Sequence, residues 1–248
     1  MQGAHAAARA RLDACRARCR AQHRDDLLPL VLRELAGVML SAGDLPAAAT
    51  LYEESAGLLK RQADREWDLA LASVLLSDVR EALGDRAAAR ALRAEGRSRF
   101  ARVGDPWGLS LADFSLAVAA GTTGDLDGAR VHAHDALALQ RQSGDLWNLG
   151  TSLLVLGEIE LLAGALAESG DLLRESLEAL HDVGDQVSIG HGLRCLAEVE
   201  RRRGPHAPRR PTGRRRARAR RTRRGALSLR PGRRRRGTAT GRASSGGR

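Results

Sequence analysis

This sequence has little with which to stack, cross-link or span a membrane. Aromatic residues are 2% of 248: three Trp, two Phe and one Tyr. Strands favour aromatic and β-branched side chains, so a β-sandwich or barrel is not expected. Three cysteines, Cys15, Cys19 and Cys195, make no disulfide framework for a chain of this length. No apolar run reaches about 18 residues, so no membrane-spanning helix is expected. Met1-Gln2-Gly3-Ala4-His5 leads into an Arg-rich stretch with no apolar signal core. The setting these absences imply is cytoplasmic and away from membranes. Lys60 is the only lysine, and no Gly-x-x-x-x-Gly-Lys-Ser/Thr phosphate loop exists. Gly-x-Ser-x-Gly and His-Glu-x-x-His are also missing. The expectation is therefore a non-enzyme with no catalytic residue, no cofactor and no metal.

Acidic residues are missing from one region only. Residues 204–248 hold 17 Arg and no acid, while the remainder holds 24 basic and 30 acidic side chains, a net of −6. The overall charge of +11 thus describes neither part. Two regions are expected: a folded domain over 1–203 and a basic tail over 204–248.

The folded part is written in Ala, Leu and Arg, all good helix formers. It is also periodic. Glycine stands at 43, 84, 124, 164 and 204, at spacings of 41, 40, 40 and 40, with Gly3 one period earlier. A second series, Gly104, Gly144 and Gly184, falls between these, with Ala63 in the equivalent first place. Asp follows nearly every marker: Asp44, Asp64, Asp85, Asp105, Asp125, Asp145 and Asp185. Glycine accommodates the left-handed residue that ends a helix. The aspartate then caps the next one.

Between markers the period is helical. Leu35, Leu76, Leu116, Leu156 and Leu196 stand eight residues before the first-series glycines, each followed by a small residue. Leu28, Leu69, Leu109, Leu149 and Ile189, seven residues earlier, share their face. This segment is the A-type helix. After each glycine comes a B-type helix with small residues five on (Ala8, Ala48, Ala89, Ala129, Ser169) and twelve on (Cys15, Ser55, Gly96, Ala136, Ser176). The pattern predicts an unpaired B-type helix over 4–22. Four A/B pairs follow over 26–62, 66–102, 107–142 and 146–182, then a last A-type helix over 186–203. An amphipathic pair cannot bury its face alone, so neighbouring pairs stack into a solenoid.

These residues resemble a tetratricopeptide-type repeat array. Leu156-Gly157, Gly164, Ser169 and Ser176 match that family's spacing, as do Leu116-Ala117, Gly124, Ala129 and Ala136-Leu137. The usual repeat is 34 residues, and its tyrosine and terminal proline are missing here. A 40-residue period also suits HEAT-like pairs. Gly104-Asp105-Pro106-Trp107-Gly108 and Gly144-Asp145-Leu146-Trp147-Asn148 are similar to phrases in the helical sensor region of ATP-dependent LuxR-type transcriptional regulators. The resemblance implies an all-α fold: a right-handed superhelical solenoid of antiparallel helix pairs. It implies a non-catalytic protein–protein interaction scaffold, or the sensor portion of a transcriptional regulator. A-type helices would line the concave surface. Arg33, Asp78, Phe114, Glu158, Arg194 and Glu198 would then be exposed to a protein or peptide partner. Uncapped array ends would favour self-association.

Other residue groups read as structural. Trp67, Trp107 and Trp147 recur at 40 and 40, which favours packing at helix starts over a ligand ladder. Cys15, Cys19 and His23 share a helix face, but structural zinc wants four ligands. His132 falls in an interior column and is expected in the core, and no partner constellation accompanies His134, His181 or His191.

The tail offers a second class of function. Of its 45 residues, 35 are Arg, Gly, Pro or Ala, and its Arg runs repel themselves and offer no core, so disorder is expected. Arg214, Arg215, Arg216, Arg233, Arg234, Arg235 and Arg236 could meet nucleic-acid phosphates through counterion release. With no aromatic interleaved, such binding would be non-specific. The same alphabet is also what a GC-rich gene gives when read out of frame. Together with a start halfway through a repeat, it fits a fragment of a longer repeat protein.

Overall fold

The punctuation residues act as their chemistry predicts. In the computed structural model, which describes residues 2–204, Gly43, Gly84, Gly104, Gly124, Gly144, Gly164 and Gly184 all take φ between 73° and 86°. Only glycine adopts this region without strain, so the helices end there. Asp44, Asp85, Asp105, Asp125, Asp145 and Asp185 each accept a backbone N–H from the first turn that follows.

The described residues are all-helical, with ten helices and no strand. They are α1 (Gln2–Ala21), α2 (Leu28–Ser41), α3 (Leu45–Leu59), α4 (Glu66–Ala82), α5 (Arg86–Val103), α6 (Pro106–Thr123), α7 (Leu126–Ser143), α8 (Leu146–Leu162), α9 (Leu166–Val183) and α10 (Gln186–Arg203). Odd numbers are B-type and even numbers A-type. Two markers behave differently from expectation. Gly3 lies inside α1 and ends nothing. Asp64 does not cap α4; Arg65 stands at that position without a side-chain bond. Here Ala63 replaces the glycine, so the sharp left-handed exit is lost and the chain needs extra residues to turn.

Small residues set how closely A- and B-type helices approach. The Ser169 hydroxyl donates to the Gly157 carbonyl at 2.6 Å, and Ser176 to Gly150 at 2.7 Å. Rising numbers on α9 meet falling numbers on α8, so the pair is antiparallel. Ser55 repeats the bond to Pro29 in α2–α3 at 2.8 Å. Where Gly96 stands instead, a Cβ would come within 2.6 Å of Val74. Contacts are most extensive within the pairs α2–α3, α4–α5, α6–α7 and α8–α9. Each B-type helix also packs on the A-type helix that follows. In addition, α4 touches α6, α6 touches α8 and α8 touches α10, so these four A-type helices share one face.

The tryptophans tie successive pairs together. The Trp67 indole N–H donates to Asp105 Oδ2 at 2.7 Å, and Trp147 to Asp185 at 2.9 Å. Trp107 bonds Asp145 in the same way. Each indole therefore reaches the capping aspartate of the next A-type helix, and one carboxylate serves both helix and inter-repeat contact. Trp67 stacks on Trp107 with centroids 5.8 Å apart. Trp147 is half exposed, which departs from uniform packing.

This double duty gives the fold an acid sensitivity. Partial burial pushes the Asp145 carboxyl up, but bonds from Asn148 and the Trp107 indole outweigh it, leaving the group below its usual range. The Ser188 backbone N–H and hydroxyl, with the Trp147 indole, hold Asp185 low as well. A carboxyl depressed in the folded state stabilises above its unfolded pKa of about 4, and that stabilisation is lost as pH falls through the folded value. Asp185→Ala should cost about 1 kcal/mol at neutral pH, as for other capping aspartates. Thermal melts should show this deficit shrinking below about pH 4, where the wild-type cap also loses its charge. A deficit constant down to pH 2.5 would contradict the assignment.

All ten helices lie in one unit, Met1–Pro208. The tail arginines, Arg214 to Arg216 and Arg233 to Arg236, and the disorder expected of them, lie outside the described residues. No described helix is long and apolar enough to cross a membrane.

Candidate partner-binding face

The shared face of α4, α6, α8 and α10 is built from facing positions on consecutive A-type helices. Asp78 on α4 meets Ser115 on α6, and Glu158 on α8 meets Cys195 on α10, both 37 residues apart. Val118 and Val155 occupy the same two columns between them. The face thus carries three rungs: polar at α4–α6, apolar at α6–α8, polar at α8–α10.

The apolar rung opens into a cleft of about 320 Å³. Val118 and Gly121 of α6 line one side and Val155, Glu158 and Leu162 of α8 the other, with Cys195 of α10 also in the lining. Val118 and Leu162 are large apolar side chains left exposed. Gly121 widens the opening, since a Cβ there would lie 3.8 Å from Ile159.

The two polar rungs are internally bonded. The Ser115 hydroxyl donates to Asp78, and the buried Arg93 guanidinium donates to Ser115 at 2.8 Å while also lying near Asp78 and Glu81. Surrounding protein pushes the Asp78 carboxyl up although its side chain is half exposed, and the Ser115 bond and Arg93 oppose this. In the other rung, Cys195 Sγ donates to Glu158 Oε1 at 3.3 Å, and His191 Nε2 lies 2.6 Å from the same oxygen. Burial and the Glu158 charge push the thiol up to about 12. Glu158, His191 and Cys195 bring one oxygen, one nitrogen and one sulfur donor within 4.8 Å of one another. Both His191 and Cys195 meet the one Glu158 oxygen, which ties the three side chains together. Asp113, His132 and Asp135 form a second such group. There the Asp113 carboxylate already accepts from Arg97 at 2.8 Å.

The sequence-derived residues are placed unevenly. Asp78 and Arg194 are exposed as expected. Phe114, Glu158 and Glu198 are half buried. Arg33 is largely covered because its guanidinium is drawn onto Glu34 at 3.0 Å and Asp68 at 3.5 Å. Glu198 is held by Arg201 and Arg202, which keep its carboxyl at about 2. His132 is a third exposed rather than core, and its ring lies 3.2 Å from the buried Asp113 carboxylate. Glu158 thus joins His191 and Cys195, Asp78 joins Ser115, Arg194 acts on Cys195 through its charge alone, and Arg33 stands apart from both groups. The residues missed were Val118, Val155, Leu162, His191 and Cys195. For Val118, Val155 and Cys195 the signal lay in the columns, since positions 37 apart face each other across these helices, whereas His191 and Leu162 fall outside those columns.

No family model matches the chain, and no curated protein matches it. Among solved structures, BtubC (BKLC) from P. vanneervenii is similar, with a TM-score of 0.60 over 97% of this chain and 97% of that one. The two are 16% identical, so the likeness bears on the fold alone.

Proposed function

We propose that this protein is a non-catalytic protein–protein interaction scaffold. Its helix pairs are tetratricopeptide-like and wind as a right-handed superhelical solenoid, with the A-type helices facing a bound peptide. The observation that carries this reading is the exposed apolar rung between two polar ones. An apolar side chain of a partner would seat between Val118 and Leu162, displacing water from apolar surface. Asp78 and Glu158 would meet flanking donors, so the peptide best suited carries a basic residue on either side of its apolar anchor. Such a module serves as the sensor portion of a transcriptional regulator as readily as a free adaptor. The compartment we propose is the cytoplasm, where its three free cysteines stay reduced.

A peptide library selected on the full 248-residue chain tests this. Selected sequences should share an apolar anchor, and their affinity should fall at least tenfold in Val118→Asp and Leu162→Asp. Both positions are exposed, so helical content should not change. Peptides that bind both variants as well as the wild type would overturn the assignment. Affinity for nucleic acid that falls steeply with salt, without any selected peptide, would instead favour the Arg tail as the working part.

A further inference from the structure

The two terminal helices are each half of a pair. Among the described residues, α1 is B-type with no A-type helix before it, and α10 is A-type with no B-type helix after it. Their burial shows what is missing. Eleven residues before each first-series glycine, Leu32 and Leu153 are 0% exposed and Ser73 and Asp113 2%, whereas Leu193 on α10 is 53% exposed. Seven before, Ala36, Ser77, Ala117 and Gly157 are buried, whereas Ala197 is exposed. A Cβ on Gly150 would press on Leu180 of α9 at 2.8 Å, but one on Gly190 would meet nothing within 4 Å.

α1 is open in the complementary columns. Ala48, Ala89, Ala129 and Ser169 are fully buried, but Ala8 is half exposed. Ser55, Ala136 and Ser176 are fully buried, but Cys15 is exposed. These are the columns through which a B-type helix meets the A-type helix of its own pair. Ser169 bonds Gly157 and Ser176 bonds Gly150 in that way. On α10 those two places are Ala197 and Gly190, and on α1 they are Ala8 and Cys15. Every residue involved is small, as the close approach requires.

We infer that α10 of one copy receives α1 of a second copy, completing an A/B pair across the two. Lengths match, at 18 and 20 residues, about 27–30 Å of helix. Residues 205–248 of the same chain do not carry the fitting register. The two small columns fall there on Arg209 and Arg216, and an arginine buried without a partner is costly. Because the two surfaces differ, the contact is heterologous, and repeating it gives an open head-to-tail series. Both helices carry more arginine than acid, so salt screens their repulsion and strengthens the contact. This inference is independent of the groove between α6 and α8.

Sedimentation or light scattering of the full chain over a range of concentrations reads the result. Mass should rise from 26.6 kDa through integer multiples as concentration increases, more readily at high salt. Leu193→Arg blocks the α10 face and Cys15→Arg the α1 face. Each alone should remain monomeric with unchanged circular dichroism, since both side chains are exposed. Mixed in equal amounts, the two variants should form a dimer and nothing larger, because one intact face of each remains. Ala197→Arg and Ala8→Arg should behave as a second complementing pair. A wild type that stays monomeric at every concentration, a single variant that still associates, or a mixture that does not pair would each overturn the inference.

Discussion

Replacing Phe100 by alanine is expected to lower unfolding free energy by about 3–5 kcal/mol, the usual cost of deleting a buried phenyl ring. For a domain of about 200 residues that is a fall in Tm of order 10 °C. Phe100 is the largest fully buried side chain. It stands where Leu59, Gln140 and Leu180 stand in the other paired B-type helices, so it is an oversized residue in a column of smaller ones. Two features make room for it. Gly108 on α6 lies so close that a Cβ there would fall 2.1 Å from the ring. Trp67 meets the ring edge-on with centroids 6.1 Å apart. Gly108→Ala alone should therefore destabilise by about 1–3 kcal/mol through overpacking. Combined with Phe100→Leu, which withdraws the ring, it should cost less than the sum of the two single changes. Trp67 fluorescence should shift to the red in Phe100→Ala as water reaches the vacated space. Additive energies in the Gly108 and Phe100 cycle would mean that the two residues do not share this contact.

The repeat was legible because its punctuation is local. A glycine that ends a helix and an aspartate that starts the next need only their own neighbours, so sequence spacing alone marked the helices to within a few residues. The binding face was less legible because it depends on which side chains meet across helices. Arg33 and Glu198 occupy positions that look exposed on an isolated helix, yet nearby acids and arginines fold over them. Glu158 was singled out by its column, but its partners His191 and Cys195 belong to the next helix of the face. The Trp67–Asp105 bond spans 38 residues and joins a tryptophan to an aspartate already assigned to capping. Local reasoning gave that aspartate one role, and packing gave it two.

Arg130→Met should be strongly destabilising although it lies at the surface of the array. The guanidinium itself is about a third exposed, so the loss should fall short of that for breaking a fully buried ion pair. The partner is what makes it severe. Glu160 leaves only 4% of its side chain in water and takes two parallel bonds from Arg130, at 2.6 and 2.9 Å. The corresponding places in the other A-type helices are Met39, Arg80, Ala120 and Glu200, and Glu160 is the charge this column buries most deeply, since Arg80 and Glu200 keep about a third of their side chains in water. Without Arg130 that carboxylate is stranded. Glu160→Met should be much milder, about 1 kcal/mol or less, because Arg130 keeps Asp127 at 3.0 Å and can turn to solvent. The double variant, Met at both positions, should recover most of the loss and approach wild-type stability, as replaced buried ion pairs commonly do. Denaturant melts of the four proteins measure the coupling directly. If Arg130→Met and the double variant are equally unstable, the damage comes from lost arginine packing rather than from the orphaned charge.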